Sequence, residues 1–487
     1  MMSRYSLVTF GCQMNQHDSE RVEELLGLAG YTRVLDPQQA DVVLLNTCSV
    51  REKAEQKLRS EVGRLALLKK ARPNLALCVL GCVAQQEGER LLKKMPQLDL
   101  VVGPDHIAEL PELIANLELG GPPRVRVGFD LEAPRFLPAL PARSAARASA
   151  VSRFVTIMKG CNERCSFCIV PHTRGAERYR PSAEIVQEIA ALVASGAREI
   201  TLLGQTVNSY RDPSGALPEA PGAGENPFKN TKFEQAREDE SEFAALLRAI
   251  AASVPALLRL RYTSPHPRHL TNSLIRAHAE LPVLARHVHM PVQSGSDRVL
   301  KRMIRRYSVA EYCERIARLR DTLPGLTLST DVIVGFPGES PEDFAATLDL
   351  VRSVGFVGLF GFKYSVRPYT PAQKLADDIP ESEKAARLQR LFEVAEALRQ
   401  MHLNGLVGGV EQVLVEECDA DGNATGRSGR NEIVHFAANR ELAGEVVSVR
   451  ITRANKNSLG GEPLEPSMLC AKPPVRAAGP RALPVLA

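Results

Sequence analysis

Short apolar runs alternate with longer amphipathic segments through the first quarter of the chain. The runs at 7–10, 42–45 and 77–80 have the length of buried strands. Helix-like segments lie between them at 19–30 and 51–70. Buried strands that alternate with helices are typical of an open parallel α/β sheet. The pattern therefore predicts such a domain over residues 1–120.

The same alternation returns over residues 154–365. The strand-like runs are 154–158, 199–203, 258–262, 286–290, 328–334 and 358–364. Helix-like segments lie between them, and a long amphipathic helix is predicted over 380–404. Six strand–helix units predict a partial (β/α)6 barrel over 151–404, with its sites at the carboxyl ends of the strands.

Four segments depart from these two patterns. After residue 405, short β-like runs with turn signals predict a small antiparallel β-barrel over 405–471. Segments rich in Pro, Ala and Arg predict an extended linker at 121–150 and a disordered tail at 472–487. The polar segment 210–242 predicts a mobile loop insertion, and whether it contacts RNA is left open.

Composition narrows the class of protein. The chain has 487 residues and a formal net charge of +4, too small to indicate nucleic-acid binding by itself. It has no apolar run near the roughly 18 residues of a membrane helix and no signal-peptide core. We therefore expect a cytoplasmic protein with no membrane partner, and a monomer by default. In that compartment its ten cysteines indicate metal or redox chemistry rather than disulfides.

Cys161, Cys165 and Cys168 follow the first strand of the predicted barrel with the spacing C-x3-C-x2-C. Four thiolates complete the ligand shell of a cubane iron–sulfur cluster, so three leave one iron open. An open coordination site is typical of a metal that takes part in chemistry. The alternative is three reduced thiols on a loop.

Three further cysteines, Cys12, Cys48 and Cys82, each follow a strand of the first domain. Ligands bind at the carboxyl ends of parallel strands, so one site could gather all three and hold a second open cluster. Gly11 and Gly81 would let the backbone approach such a ligand closely. Core packing remains the alternative for these cysteines, and it is our interpretation of Cys78, which lies inside a strand-like run.

Residues 159–168, KGCNERCSFC, resemble the cluster-binding loop of the radical S-adenosylmethionine (SAM) enzymes. The resemblance implies a [4Fe-4S] cluster on Cys161, Cys165 and Cys168, whose open iron binds the amino and carboxylate groups of SAM. It implies further SAM contacts at the aromatic residue of the loop and at the barrel strand ends. These cofactor-binding candidates are Phe167, Gly204, Gln205, Gln293, Gly335 and Pro337. Gly204 and Gln205 stand where a Gly-Gly-Glu sequence is commoner, at the site of the methionine amine.

The sequences around the other three cysteines, GCQMN, NTCSVREKA and GCVAQ, look like the N-terminal domain of the methylthiotransferases, most similar to the MiaB type. This resemblance implies an auxiliary [4Fe-4S] cluster on Cys12, Cys48 and Cys82. The C-terminal part resembles a TRAM domain, a small RNA-binding module. Its RNA-binding candidates are Arg427, Arg430, Arg450 and Arg453. A purely structural domain is the alternative, because acids outnumber bases in this region.

The resemblance implies 2-methylthiolation of an N6-isopentenyl (dimethylallyl) adenosine beside the anticodon of a tRNA. One cluster would reduce SAM to a 5′-deoxyadenosyl radical, and the auxiliary cluster would supply sulfur that a second SAM methylates. A one-electron donor such as a flavodoxin is implied, and the anticodon stem-loop is the expected partner. The target base lies in a single-stranded loop, where it can be splayed out.

Other functions stay open at this point. The same chemistry could act on a threonylcarbamoyl adenosine in tRNA or on an aspartate of a ribosomal protein. An iron–sulfur RNA-binding regulator without turnover and a plain electron-transfer protein are the non-methylthiotransferase alternatives.

Two groups of polar residues have a structural and a functional interpretation. The pairs His287/His289 and His266/His269 could bind a metal, although they lack a known ligand spacing, or be ordinary hydrogen-bonded histidines. Arg174, Arg178 and Arg180 could meet phosphate or form a solvated face.

Overall fold

The computed structural model describes residues 3–49, 52–129, 136–137, 151–217, 241–438 and 441–464. These residues form an open parallel sheet, a partial barrel and a small closed barrel, in that order. The fold class predicted from the sequence is confirmed. Within these ranges, no helix combines the length and apolar character needed to cross a membrane.

The elements are numbered in chain order. The α-helices of the described ranges are α1 (Gln13–Leu28), α2 (Glu52–Ala71), α3 (Cys82–Glu87), α4 (Glu89–Lys94), α5 (Leu110–Glu118), α6 (Val170–Thr173), α7 (Ser182–Ala194), α8 (Glu242–Ser253), α9 (Asn272–Glu280), α10 (Asp297–Arg302), α11 (Val309–Thr322), α12 (Pro341–Val354) and α13 (Glu381–Gly405). The strands are β1 (Arg4–Phe10), β2 (Thr32–Arg33), β3 (Val42–Thr47), β4 (Ala76–Gly81), β5 (Leu100–Val102), β6 (Arg124–Arg126), β7 (Ser152–Thr156), β8 (Met158–Lys159), β9 (Arg178–Tyr179), β10 (Glu199–Leu203), β11 (Arg259–Tyr262), β12 (His287–His289), β13 (Thr327–Val334), β14 (Gly358–Lys363), β15 (Val410–Cys418), β16 (Asn423–Ser428), β17 (Ile433–Ala437), β18 (Val446–Ala454) and β19 (Leu459–Pro463).

The first domain is a six-stranded parallel sheet in the order β2-β1-β3-β4-β5-β6. β3 is buried over its whole length because helices cover both faces of the sheet. Cys78 lies fully buried within β4, where burial raises the pKa of its thiol. The interpretation of Cys78 as a core thiol is therefore confirmed.

The structure corrects two boundaries of this domain. Arg124–Arg126 pairs with β5 as the sixth strand, so the predicted linker cannot begin at residue 121. Such a short, partly exposed strand has too few apolar residues to show a pattern. Helix α1 begins at Gln13, directly after Cys12, and not at 19. Most of the rest of the predicted linker lies outside the described residues.

The central domain contains the six predicted strands, as two parallel three-stranded sheets ordered β7-β10-β11 and β12-β13-β14. A bridge between Leu260 and Leu284 links β11 to the segment that leads into β12, so the strands follow one another around a partial barrel. The predicted first strand is divided in two. Met158–Lys159 leaves the barrel and pairs antiparallel with β9, which directs the chain into the cysteine loop.

The insertion is shorter than predicted at its start. Tyr210 and Asp212 are buried, and Asp212 Oδ2 accepts a 2.6 Å hydrogen bond from Ser182 Oγ at the start of α7. Glu242 begins α8 and accepts a 2.5 Å bond from the Asp212 backbone N–H. Residues 218–240, like the predicted tail 472–487, lie outside the described residues.

The C-terminal domain is a closed barrel ordered β15-β16-β17-β19-β18, antiparallel except for the β17–β19 pair. Sequence patterning missed β16 and β19. The polar Asn423–Ser428 sequence of β16 resembles a turn, and β19 (Leu459–Pro463) contains two glycines and a proline. The turn after β16 docks on the amino ends of the central strands. The Arg286 N–H donates to the Gly429 carbonyl at 2.9 Å, and Arg261 Nη2 donates to the Ser428 carbonyl at 3.3 Å.

Candidate metal centres

Cys12, Cys48 and Cys82 meet at the carboxyl edge of the first sheet. They follow β1, β3 and β4, which are adjacent in the sheet order. Gly11 makes their close approach possible. Its φ is +150°, and a Cβ there would lie 2.5 Å from Cys48 Cβ, too close for any side chain. The structure thus brings together three thiols that are far apart in sequence.

Two buried asparagines fix the backbone around these thiols. Asn15 Nδ2 donates to Asn46 Oδ1 at 3.0 Å, and Asn46 Nδ2 donates back to the Asn15 carbonyl at 2.8 Å. Cys12 Sγ donates to Asn15 Oδ1 at 3.3 Å. Because Asn15 lies on α1 and Asn46 on β3, this network fixes the distance between these two elements, next to which Cys12 and Cys48 lie.

Cys12 and Cys82 differ in their electrostatic environments. A hydrogen bond with Cys48 lowers the pKa of Cys12 to about 6, and nearby backbone N–H groups and Arg174 act in the same direction. Cys12 is the N-cap of α1, and the positive end of a helix favours a thiolate. Burial raises the pKa of Cys82, although Arg174 opposes this. Cys12 therefore ionises more readily than Cys82.

Arg174 contacts this site from the central domain. Its Nε donates to Cys82 Sγ at 3.3 Å, and its Nη2 pairs with Asp18 Oδ2 at 2.6 Å. Arg178 pairs with Asp105, and Arg180 pairs with Glu188. All three arginines are buried, so both earlier interpretations of them, a phosphate site and a solvated face, are wrong. They lie in ion pairs in the protein interior.

The second group of cysteines lies on the loop after β8. Gly160 opens this loop at φ +81°, and a Cβ there would overlap the Ala176 carbonyl. The Cys161 N–H donates to the Gly175 carbonyl at 3.1 Å, and the Cys168 N–H donates to the Cys165 carbonyl at 3.1 Å. These bonds curl the loop, and its thiols interact electrostatically, Cys161 with Cys168 and Cys168 with Cys165.

Burial opposes the ionisation of Cys161 and Cys168 in this second group. Burial is the main cause that raises the pKa of Cys161 above its usual range, and burial raises the pKa of Cys168 to about 12. Thr206 Oγ1 lies 3.1 Å from Cys161 Sγ, and Arg305 Nη1 donates to Cys165 Sγ at 3.3 Å. Metal binding supplies the missing charge, because it deprotonates the thiols that it ligates.

Gln205 is held against the cysteine loop. Its Oε1 accepts a 2.5 Å hydrogen bond from the Gly160 N–H, which leaves Nε2 buried without a partner among the described residues. Nε2 is a donor, so it would suit a carboxylate oxygen of SAM rather than the ammonium group. A Cβ on the neighbouring Gly204 would lie 2.5 Å from Met158 Cγ.

The other cofactor-binding candidates follow later barrel strands. Gln293 adopts φ +72°, which is rare for a residue with a side chain, and it bonds to β13. Gly335 and Pro337 lie on the loop after β13, where the Pro337 carbonyl accepts a 3.1 Å bond from Arg302 Nε. Ser166 Oγ donates to the Arg302 carbonyl at 2.8 Å, which ties that loop to the cysteine loop. Phe167 packs beside it on the Phe336 cluster.

The histidine pairs have ordinary partners. His287 Nδ1 lies 3.0 Å from Thr327 Oγ1, and His289 Nδ1 lies 2.9 Å from Ser329 Oγ. Glu163 joins His266 and His269 in a group whose ligand atoms lie within 4.8 Å of one another. Glu163 is already 3.2 Å from His269 Nε2, however, and its charge is also met by nearby arginines. Those cations disfavour a divalent metal there.

The four RNA-binding candidates divide into two pairs. Arg427 and Arg430 lie at the contact with the central barrel, paired with Glu416 and Glu411. Arg450 and Arg453 are exposed on β18, and neither forms an ion pair with another described residue.

Buried polar atoms test whether iron–sulfur clusters fit these sites. Thr47 Oγ1, Ser49 Oγ and Arg174 Nη1 lie beside the first cysteine group without partners among the described residues. Gln205 Nε2 and Glu163 Oε2 do so beside the second. Buried polar atoms normally have partners, and cluster sulfides, cysteine sulfurs or a polar cofactor would supply them. The residues fit the groups that the sequence resemblance implies.

Sequence reasoning missed Asn46, Thr206 and Arg305, as well as the role of Arg174. Asn46 and Thr206 lie within two residues of a predicted site residue, so proximity in sequence was an available signal. Arg305 was not recognisable, because it belongs to a basic run that has the pattern of an exposed surface.

Three protein-family models match successive parts of the chain. Residues 4–103 match the Uncharacterized protein family UPF0004, residues 155–351 the Radical SAM superfamily and residues 406–464 the TRAM domain. The chain is 63% identical to a tRNA-2-methylthio-N(6)-dimethylallyladenosine synthase of Sorangium cellulosum, over 100% of this chain and 99% of that protein. It is 44% identical to the enzyme of that name from Acidithiobacillus ferrooxidans, over 94% and 97%.

A solved structure supports the fold alone. The radical S-adenosylmethionine methyltransferase TsrM from Kitasatospora setae, with tryptophan and a SAM analogue bound, gives a TM-score of 0.51 at 14% identity. The match covers 86% of this chain and 79% of TsrM.

Proposed function

The chain belongs to the tRNA-2-methylthio-N(6)-dimethylallyladenosine synthase family of radical SAM enzymes, and from this membership we infer a division of labour among its three domains. It is a tRNA methylthiotransferase that uses SAM and a [4Fe-4S] cluster. Its relatives are named for the dimethylallyl substrate, which favours 2-methylthiolation of the isopentenyl adenosine over the alternative substrates.

We propose that the two cysteine groups are separate cluster sites. Cys161, Cys165 and Cys168 hold the cluster that cleaves SAM, and Cys12, Cys48 and Cys82 hold an auxiliary cluster. The observation that carries this proposal is that each group meets around buried polar atoms that have no partner within the described part of the chain. When bound, the clusters supply radical generation and sulfur, chemistry that no side chain provides. The protein's own groups set the geometry and exclude water.

The residues around SAM have distinct tasks in this proposal. Gln205 donates to the SAM carboxylate through Nε2, while its Oε1 accepts the hydrogen bond from the Gly160 N–H. Gly204, Gln293, Gly335, Pro337 and Phe167 line the remainder of the SAM site. We further propose the domain limits 1–120, extended to include β6, then 151–404 and 405–471. We also propose that the protein is a cytoplasmic monomer and that a flavodoxin-like protein supplies its electrons.

The iron content of anaerobically reconstituted protein tests the two-cluster proposal. We expect about eight irons per wild-type chain, and about four in Cys12→Ala/Cys48→Ala/Cys82→Ala, because each cubane contains four. The matched variant Cys161→Ala/Cys165→Ala/Cys168→Ala should also retain about four irons, with a different EPR spectrum. About four irons in the wild type and in the first variant alike would refute the auxiliary cluster. The substrate is then tested with tRNA that carries or lacks the isopentenyl group.

Binding of tRNA is expected to depend on Arg450 and Arg453. Each exposed arginine that meets a phosphate adds about one unit to the slope of log K against log salt concentration, so Arg450→Ala/Arg453→Ala should lower the slope by about two. Filter binding over a salt series measures this slope. That Arg427 and Arg430 bind RNA stays a prediction. Since their side chains pair with acids, Arg427→Ala/Arg430→Ala should change the slope less, and the reverse ranking would contradict this assignment.

A further inference from the structure

Arg174 belongs to the radical SAM part of the chain but contacts the auxiliary cysteines. It follows α6, six residues after Cys168, and is only 3% exposed. Its Nε lies 3.3 Å from Cys82 Sγ, a contact that joins residues 92 positions apart. The first domain alone therefore lacks one group that touches its own cysteine site.

Arg174 is held in place through both its side chain and its backbone. Nη2 pairs with Asp18 at 2.6 Å, and Asp18 lies on α1, the helix that begins directly after Cys12. The backbone carbonyl of Arg174 accepts a 2.7 Å bond from Arg178 Nη2, and Arg178 is itself paired with Asp105 of the first domain. A buried charge fixed in this way acts on its surroundings with little screening by water.

One hydrogen-bond donor of the Arg174 guanidinium group has no acceptor within the described ranges. Arg174 Nη1 is buried and has no hydrogen-bond partner among the described residues. Buried guanidinium donors rarely lack an acceptor. The sulfur atoms of an iron–sulfur cluster accept hydrogen bonds, and such bonds help to set the reduction potential of the cluster.

We propose that Arg174 is a positioning residue of the auxiliary centre, which orients Cys82 through the hydrogen bond to its sulfur and raises the reduction potential of the cluster. The inference rests on the proposed function, because it requires the auxiliary cluster. Reduction adds one electron and hence one negative charge. A fixed cation stabilises that charge, so the reduced state is favoured when Arg174 is present.

The experiment uses full-length protein that carries Cys161→Ala/Cys165→Ala/Cys168→Ala, so that the auxiliary cluster alone gives a signal. Adding Arg174→Gln is expected to lower the ratio of reduced to oxidised cluster at least tenfold at a fixed potential, a shift of about 59 mV for one electron. Potentiometric titration followed by EPR measures it. Arg174→Lys keeps the charge but loses the planar fork, so it should restore part of the shift.

A control variant separates contact with the cysteine from interface charge in general. Arg153 is a buried arginine at the same domain contact, paired with Glu24 at 3.4 Å. Arg153→Gln should change the ratio by less than about threefold, because charge effects decline with distance. An equal shift in Arg153→Gln and Arg174→Gln would overturn the proposal.

Arg174→Gln removes the partner of Asp18, and the unpaired carboxylate could by itself prevent cluster assembly. A second pair of variants addresses this case. Asp18→Asn is compared with Asp18→Asn/Arg174→Gln, in which no buried charge is stranded. The double variant should have the lower potential. About four irons with no shift between these two would overturn the role of Arg174. No iron in the parent protein would instead overturn the auxiliary cluster itself.

Discussion

Replacing Gly160 with alanine is expected to lower SAM cleavage by about a hundredfold or more, because small misplacements of reacting groups cost about this much. The backbone there has φ +81°, and an added Cβ would lie 2.5 Å from the Ala176 carbonyl carbon and 2.6 Å from the Gly175 oxygen. The same Gly175 oxygen accepts the Cys161 N–H. The loop cannot relieve the overlap without moving Cys161. Formation of 5′-deoxyadenosine by reduced protein, measured by chromatography, reports the loss.

Gly355 provides a matched control for backbone strain. It has φ +65° at the end of α12, but a Cβ there would meet nothing within 4 Å. Gly355→Ala should cost roughly 1–2 kcal/mol of stability from its left-handed conformation and leave SAM cleavage within about twofold of wild type. If Gly160→Ala cleaves SAM as well as Gly355→Ala does, the tight approach at Gly160 is not needed for the cluster loop.

Removing the Arg387 side chain is expected to lower the free energy of unfolding by about 3–5 kcal/mol, since it leaves a buried charge unpaired. Arg387 Nη1 donates to Glu339 Oε2 at 2.7 Å, and this carboxylate also accepts a 2.7 Å bond from the Gly335 N–H. Helix α13 thereby holds the loop that carries Gly335 and Pro337. Denaturant unfolding of Arg387→Ala measures the loss.

The pH dependence of this variant gives a second readout. Burial already raises the pKa of Glu339, and Arg387 opposes that effect. Without Arg387 the folded protein keeps the Glu339 proton to higher pH than the unfolded chain does. The variant should therefore lose further stability as pH rises above the ordinary carboxyl pKa.

Two variants check the cause of that destabilisation. Arg390 lies on the same helix, but its pair with Glu393 is exposed, so Arg390→Ala should cost less than about 1 kcal/mol. Glu339→Gln/Arg387→Met removes both charges and should be more stable than Arg387→Ala alone. If the double variant is the less stable of the two, lost packing rather than a stranded charge explains the effect.

The fold could be predicted where the apolar and polar residues of a short segment show which side of it is buried. All six barrel strands and the long helix α13 follow from apolar runs and helical periodicity, as do β1, β3 and β4. Six strands were not predicted, because they are short or polar and become strands only by pairing with a neighbour: β2, β5, β6, β9, β16 and β19. Pairing of that kind depends on where the rest of the sheet lies, which no window of sequence contains.

Sequence by itself determined the family and both groups of candidate ligands, because cysteine spacing and strand-end position are local features. Only the tertiary structure decided what surrounds those cysteines. Arg174 meets Cys82 and Arg305 meets Cys165 across 92 and 140 positions of the chain. In the sequence both arginines have the pattern of solvated surface residues. Burial and a thiol partner arise when the domains pack, since the electrostatics of a charged side chain follow from its three-dimensional neighbours and not from its neighbours in sequence.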